Sequence, residues 1–197
     1  MPYPNVHLTF SDRAATVTGV SSGFTIKVLE GERGVFGVAF RPGCFRPWLG
    51  RSVSTITDRS VDAREIFGAV PTEPDHAAVE RFLRARLPAP DAPAFEAAEM
   101  VSTIAGTPEL TRADAVARLG GMSVRQLQRL FAEYVGIGPK WVIRRYRLRE
   151  VTARLESGVV IDWATLAADL GYADQAHFTR DFKAMFGESP TAYARRY

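Results

Sequence analysis

Two short runs of polar side chains have the types and spacing to hydrogen-bond to the edges of nucleic-acid bases. In the first, Arg125, Gln128, Arg129 and Ala132 alternate with Leu127, Leu130, Phe131 and Tyr134. In the second, Gln175, Ala176, Thr179, Arg180 and Lys183 alternate with Phe178, Phe182, Met185 and Phe186. Wound as a helix, each run separates into an apolar stripe and a polar one. Arginine and glutamine pair with purine edges, and threonine reaches bases or phosphates. Ala176 can offer only a methyl contact, as to thymine. Neither polar stripe carries a glutamate, and Asp181 is expected to point away from the second.

The expected base readers are therefore Arg125, Gln128 and Arg129 in the first run and Gln175, Ala176, Thr179 and Arg180 in the second. The competing reading of the second run is that it grips backbone only. Lys140, Arg144, Arg145 and Lys183 are the expected phosphate contacts, against the alternative of ordinary solvated charge. His177 is expected to pack or cap, and Trp141 and Trp163 to lie in a core.

Both runs sit in an internal repeat. Sliding the chain by 51 residues brings Ala113 onto Ala164, Ala117 onto Ala168 and Leu119-Gly120 onto Leu170-Gly171. The same shift pairs Arg129 with Arg180, Phe131 with Phe182, Gly136 with Gly187, Pro139 with Pro190, and Arg144-Arg145-Tyr146 with Arg195-Arg196-Tyr197. Each copy reads as a short helix, a glycine turn at Gly120 or Gly171, a second helix, and a Gly-x-x-Pro break into a third. That is the layout of a helix-turn-helix unit. Ala117 and Ala168 are small enough to let its helices approach, and the glycine takes backbone geometry that other residues resist. A solenoid is the competing use of repeated helical hairpins, but it needs about three or more copies. Helices are expected over 95–104, 112–119, 124–135, 139–156, 163–170, 175–186 and 190–196. Thr111 with Asp114 and Ser123 with Gln126 fit capping boxes. Ser189-Pro190 and Gly138-Pro139 fit helix starts.

Ahead of the helices, residues 5–10, 14–20, 24–29 and 34–41 read as four short strands separated by turns that are charged or carry glycine. Four strands make an antiparallel sheet with one covered face; a barrel needs about eight. Residues 75–87 read as an amphipathic helix with Val79, Phe82, Leu83 and Leu87 on one side. Pro88, Pro90 and Pro93 then mark an extended linker. The expected fold class is α+β. A small antiparallel β-rich domain (1–87) precedes the Pro-rich linker (88–93) and an all-α domain (94–197). The last holds two tandem helix-turn-helix subdomains, about 111–136 and 162–187, joined by a long helix over 139–156.

Bulk properties narrow the classes. The 197 residues are 46% hydrophobic and 24% charged, a globular balance. The formal charge is +3, and the excess is C-terminal: from Glu109 onward fourteen Lys and Arg face ten Asp and Glu. A polyanion would bind on that side. Cys44 is the only cysteine, so neither an internal disulfide nor a metal site is expected, and no cofactor motif appears. No apolar run approaches the ~18–20 residues of a membrane span, and no signal pattern opens the chain. A cytoplasmic location is expected.

The stretch from Ser123 to Phe131 with Gly136-x-x-Pro139 resembles the DNA-binding domain of the AraC/XylS family. So does the stretch from Gly171-Tyr172 through Gln175, His177-Phe178, Arg180, Phe182 and Phe186-Gly187 to Ser189-Pro190. The likeness covers about residues 97–197. It implies recognition helices over 124–135 and 175–186 that enter adjacent major-groove segments of double-stranded DNA, one turn (~34 Å) apart. It also implies transcription regulation, with RNA polymerase as a candidate partner. Gly37-Val38-x-Phe40-Arg41-Pro42-Gly43-x-Phe45 resembles the sensor-like domain that precedes this unit in one AraC-like subgroup. Set against that domain, the sensor here is expected to be truncated at its start. Phe24, Ile26, Val38, Phe40 and Trp48 could line an effector pocket in it, against the plainer reading of simple core; the effector itself is unidentified. Two rivals stay open. One is a helical protein-interaction module without DNA readout. The other is a small-molecule-binding enzyme in which Cys44 is a reactive thiol, although no catalytic arrangement accompanies it.

Overall fold

Strict alternation builds the sheet. In the computed structural model, which describes residues 2–11, 14–26, 34–156 and 161–196, β1 is His7–Phe10, β2 is Ala15–Thr18 and β3 is Phe36–Ala39. β4 is Ser60–Asp62. All pairings are antiparallel in the order β3-β1-β2-β4, with Leu8 opposite both Val17 and Val38, and Val17 opposite Val61. Leu8, Phe10, Ala15 and Val17 face inward and are buried, while His7, Thr9, Thr16 and Thr18 between them are half-exposed. Phe45, Val53, Ile56, Phe67, Val79 and Phe82 complete this core.

Two expectations for this half are corrected. Residues 24–26 form no strand, and the rest of the expected strand, 27–29, lies outside the described residues. The Phe24 amide instead donates to the Ala184 carbonyl at 3.0 Å, far along the chain, so a tertiary contact overrides local β propensity. The fourth strand comes from Ser60–Asp62, where Val61 alone is apolar and too little periodicity exists to announce it.

Short helices α1 (Arg46–Leu49) and α2 (Arg64–Phe67) flank a 3-10 turn at Val53–Ile56. Helix α3 (His76–Arg84) starts at an Asp75 cap, whose carboxylate accepts from the Ala78 amide at 2.6 Å. It stops short of the expected 87, because the residue before Pro88 is pushed out of helical geometry. Leu87 is therefore not on the apolar stripe; it is 72% exposed. Helix α4 (Ala92–Gly106) begins inside the expected linker. Pro93 sits in its first turn, where a missing N–H costs nothing, so the proline starts this helix and does not forbid it.

The remaining helices are α5 (Ala113–Leu119), α6 (Val124–Leu130) continued by a π turn at Phe131–Val135, α7 (Pro139–Glu156), α8 (Trp163–Asp169), α9 (Gln175–Phe186) and α10 (Pro190–Ala194). Ala97, Val101, Ile104, Val116, Leu127, Phe131, Val142 and Ile143 form one core, and Leu148, Val151, Leu155, Leu166, Phe178, Phe182 and Met185 another. The expected cap at Thr111 is absent. Arg112 occupies the N-cap position without a side-chain bond, and Asp114 pairs with Arg112 and Arg118 instead.

The repeat register also changes. From the second helix of each copy onward the offset is 51: buried Leu127 matches Phe178, and Gly136 and Gly187 both carry positive φ. Over the first helices it is 50, since Arg112 and Asp162 are the two N-caps and the helices run Ala113–Leu119 and Trp163–Asp169. Ala117 therefore matches buried Ala167, not Ala168, which is exposed. The left-handed turn glycines are Gly121 (φ 63°) and Gly171 (φ 71°), not Gly120. The second copy carries one extra residue in its turn.

The halves meet closely at Gly43 (φ 88°), where an added Cβ would lie 2.7 Å from the Ala98 nitrogen and 2.9 Å from the Ala94 oxygen in α4. Gly50 (φ 71°) has open space. Gly50→Ala should therefore lose only the left-handed backbone preference, about 1–2 kcal/mol. Gly43→Ala should lose clearly more, as a lower urea midpoint at unchanged slope. Cys44, beside it, is partly buried, and burial pushes its thiol pKa up against the pull of Arg41. Less thiolate at pH 8 means alkylation of the folded chain by iodoacetamide should be much slower than after urea unfolding; equal rates would restore the reactive-thiol reading.

Candidate nucleic-acid interface

Each reading helix begins with a side-chain cap. Ser123 accepts from the Gln126 amide at 3.2 Å while Gln126 Oε1 accepts from the Ser123 amide at 2.8 Å, a complete capping box. Asp174 accepts from the His177 amide at 2.6 Å. These caps satisfy amide groups that a helix start leaves without partners, so the first turns are held in place.

On α6 and its π turn, Arg125, Gln128, Arg129 and Ala132 are exposed, whereas Leu127, Phe131 and Val135 are buried. On α9, Gln175, Ala176, Arg180 and Lys183 are exposed and Thr179 is half-buried, above buried Phe178, Phe182, Met185 and Phe186. The arrangement presents two polar helix faces on rigid apolar supports.

The expected phosphate contacts divide. Lys140 and Lys183 are exposed. Arg144 is half-buried and pairs with Asp181 at 2.8 Å; Asp181 does point away from the polar face, into a nearly closed site. Arg145 is corrected outright. It is fully buried, its guanidinium lies 3.7 Å from the Tyr3 ring centre and 4.5 Å from that of Tyr146, and its Nε donates to the Pro2 carbonyl at 3.0 Å. A side chain so enclosed presents nothing to a phosphate. Its N-terminal partners were invisible to periodicity.

His177 packs edge-on to Tyr172, with ring centres 5.2 Å apart, and its Nε2 lies 3.6 Å from Asp181. Trp163 stacks on Phe178, and the Trp141 indole donates to the Ser22 carbonyl at 2.7 Å. The expected effector-pocket residues are not brought together. Val38, Phe40 and Trp48 pack against the sheet core, Phe24 lies on Gly187, and Ile26 is 74% exposed. No group of His, Cys, Asp and Glu among the described residues could hold a metal ion. No helix among them is long and apolar enough to cross a membrane.

Sequence reasoning missed two features. The N-terminal half supports the first reading helix. Ser52 Oγ donates to the Ala132 carbonyl at 3.0 Å, Thr57 Oγ1 donates to the Gly136 carbonyl, and Arg46 pairs with Glu133 at 3.0 Å. These hydroxyls serve carbonyls that a helix end leaves free. Arg112 and Arg147 line a cleft of about 500 Å³ between the two units, together with Lys140, Arg144 and His177. Lys140, Arg144 and Arg147 recur on one face of α7, but Arg112 at the cap of α5 and His177 on α9 join them only through the fold.

Comparison with known proteins then fits this geometry. A family described as a helix-turn-helix domain matches residues 116–196, and a domain of unknown function (DUF6597) matches residues 1–62. The HTH-type transcriptional regulator GlxA of Rhizobium meliloti is 37% identical over 82 residues, covering 42% of this chain and 25% of that protein. XylDLEGF operon transcriptional activator 1 of Pseudomonas putida is 34% identical over 83 residues, 41% of this chain and 25% of that one. The F1 operon positive regulatory protein of Yersinia pestis is 38% identical over 82 residues, 41% and 26%. The chain thus spans about a quarter of the length of these relatives. A solved regulator with an AraC-type DNA-binding domain from Chromobacterium violaceum superposes with a TM-score of 0.46 at 24% identity, over 51% of this chain and 90% of that one, too slight a likeness to argue from. Residues 116–196 thus match a helix-turn-helix domain and are similar to that part of named transcriptional regulators.

Proposed function

We propose that this chain is a sequence-specific DNA-binding transcription regulator that reads adjacent major-groove segments of double-stranded DNA with residues 124–135 and 175–186. One observation carries the reading: two capped helices expose Arg125, Gln128 and Arg129, and Gln175, Ala176 and Arg180, while every large apolar neighbour on α9, and Leu127, Phe131 and Val135 on α6 and its π turn, are buried. Arginine and glutamine at helix starts are the side chains that reach base edges. Thr179 joins the second set at its half-buried margin. The first helix is the stronger reader, and the second, with Ala176 and Thr179, reads more loosely. Lys140, Lys183 and Arg144 serve the backbone. Residues 1–87 form the regulatory half and RNA polymerase is the partner that regulation requires.

Selection of bound duplexes from random DNA tests the reading and yields the site. Affinity for that site should fall steeply with salt, whereas a nearly flat response would favour a protein-interaction module. On the selected duplex, Arg125→Ala or Arg129→Ala should each cost about 1–3 kcal/mol if bidentate to guanine. Equal losses on random DNA would reassign that arginine to phosphate.

A further inference from the structure

We propose that the cleft between the two helix-turn-helix units is a phosphate site, filled by backbone phosphates of the duplex stretch lying between the two major-groove halves. The proposal rests on the DNA reading above. The cleft is lined by Val124, the first residue of α6, by His177 in the first turn of α9, and by Lys140, Arg144 and Arg147 of α7. A duplex that seats both first turns in successive major-groove segments must carry its intervening minor-groove stretch, with two phosphate strands, across the ground between them.

The charges in the cleft are unbalanced. Its carboxylates are already engaged: Asp114 by Arg112 at 2.9 Å and Arg118 at 3.0 Å, Asp181 by Arg144 at 2.8 Å. The two arginines beside Asp114, Arg112 foremost, hold its carboxyl below the usual range. Lys140 and Arg147 form no ion pair among the described residues. Arg147 is the telling group. Its guanidinium lies 4.3 Å from the Tyr172 ring centre, and Nε and Nη2 are buried without a hydrogen-bond acceptor. Buried donors in native proteins nearly always have one, so orphaned donors on a side chain that lines an open cleft call for an acceptor there. Guanidinium and phosphate form paired, charge-assisted bonds. A phosphodiester oxygen at the cleft would give Arg147 its acceptor, with Lys140 and the exposed Arg112 side chain closing around the same group.

The test uses the full chain. Binding to the selected duplex and to an unrelated one is measured across salt concentrations for the wild type, Arg147→Gln, Lys140→Gln and Arg112→Gln. Each variant should lower the slope of log K against log salt by about one on both duplexes, leaving the preference between them unchanged. Wild-type slopes in all folded variants overturn the proposal. Should circular dichroism show Arg147→Gln unfolded, the two exposed positions decide. Inorganic phosphate, titrated into the DNA-free chain and followed by arginine Nε–Hε resonances, separates the sources of phosphate. Weak, unsaturated shifts with altered duplex slopes support the backbone assignment. Saturable binding with unchanged slopes overturns it. If the wild type itself shows no salt-dependent duplex binding, the DNA reading has failed, and the phosphate titration alone judges the cleft: a saturable Arg147 shift keeps a phosphate site, and no shift removes it.

Discussion

Helix α7 gives Val142 and Ile143 to one hydrophobic core and Leu148, Val151 and Leu155 to another, so two folding units share one rod. That sharing sets the distance between the reading helices. Each residue of an α-helix advances ~1.5 Å and turns ~100°. Inserting or deleting one residue between Ile143 and Leu148 would swing the second unit around the rod and remove its polar face from the plane of the first. Spacing here follows from the geometry of a continuous helix. It does not depend on docking two independent surfaces.

The rod is itself held from the N-terminal side. Trp141 reaches the Ser22 carbonyl and Arg145 the Pro2 carbonyl, while the Tyr3 ring covers the Arg145 guanidinium. Enclosing a guanidinium costs several kcal/mol in desolvation, and cation–π contact with two tyrosines repays part of it. Burial lowers the Arg145 pKa, in keeping with that cost. Further along, Phe24 touches the end of α9 through the Ala184 carbonyl and Gly187. The β-rich half thus contacts α7 and both helix-turn-helix units. Packing joins the stretches on either side of Pro88, Pro90 and Pro93.

How much of this was legible depended on range. Local signals served well where one helix face decides burial. The bounds of α7 and α9, the Ser123 capping box and the inward stripes of both reading helices were all readable from spacing. Signals failed where a distant contact wins. Phe24 has the composition of a strand residue but is drawn to α9. Arg145 has the spacing of a phosphate contact but is capped by residues at the far end of the chain. The repeat failed more subtly. Matching Gly120 with Gly171 kept one register throughout, because glycine identity dominates an alignment by eye. The backbone needs a left-handed residue, and Gly121 supplies it in the first copy.

That extra turn residue and the π turn make the two units structurally unequal. In the second unit α9 runs unbroken to Gly187, whose amide closes onto the Lys183 carbonyl four residues back. In the first, the Gly136 amide reaches back five residues to Phe131 at 2.8 Å, widening the last turn. A widened turn leaves carbonyls poorly served by the helix itself. Ser52 and Thr57 hold those at Ala132 and Gly136, and an added Cβ on Gly136 would strike Val53 at 2.8 Å. The first reading helix is therefore completed by the N-terminal half, and each such hydroxyl contributes about 1 kcal/mol. Any shift of the Val53–Ile56 turn is felt at the C-terminal end of the helix that exposes Arg125, Gln128 and Arg129. The second helix is met by Gly23 and Phe24 of that half, at Ala184 and Gly187, and ends on its own hydrogen bonds.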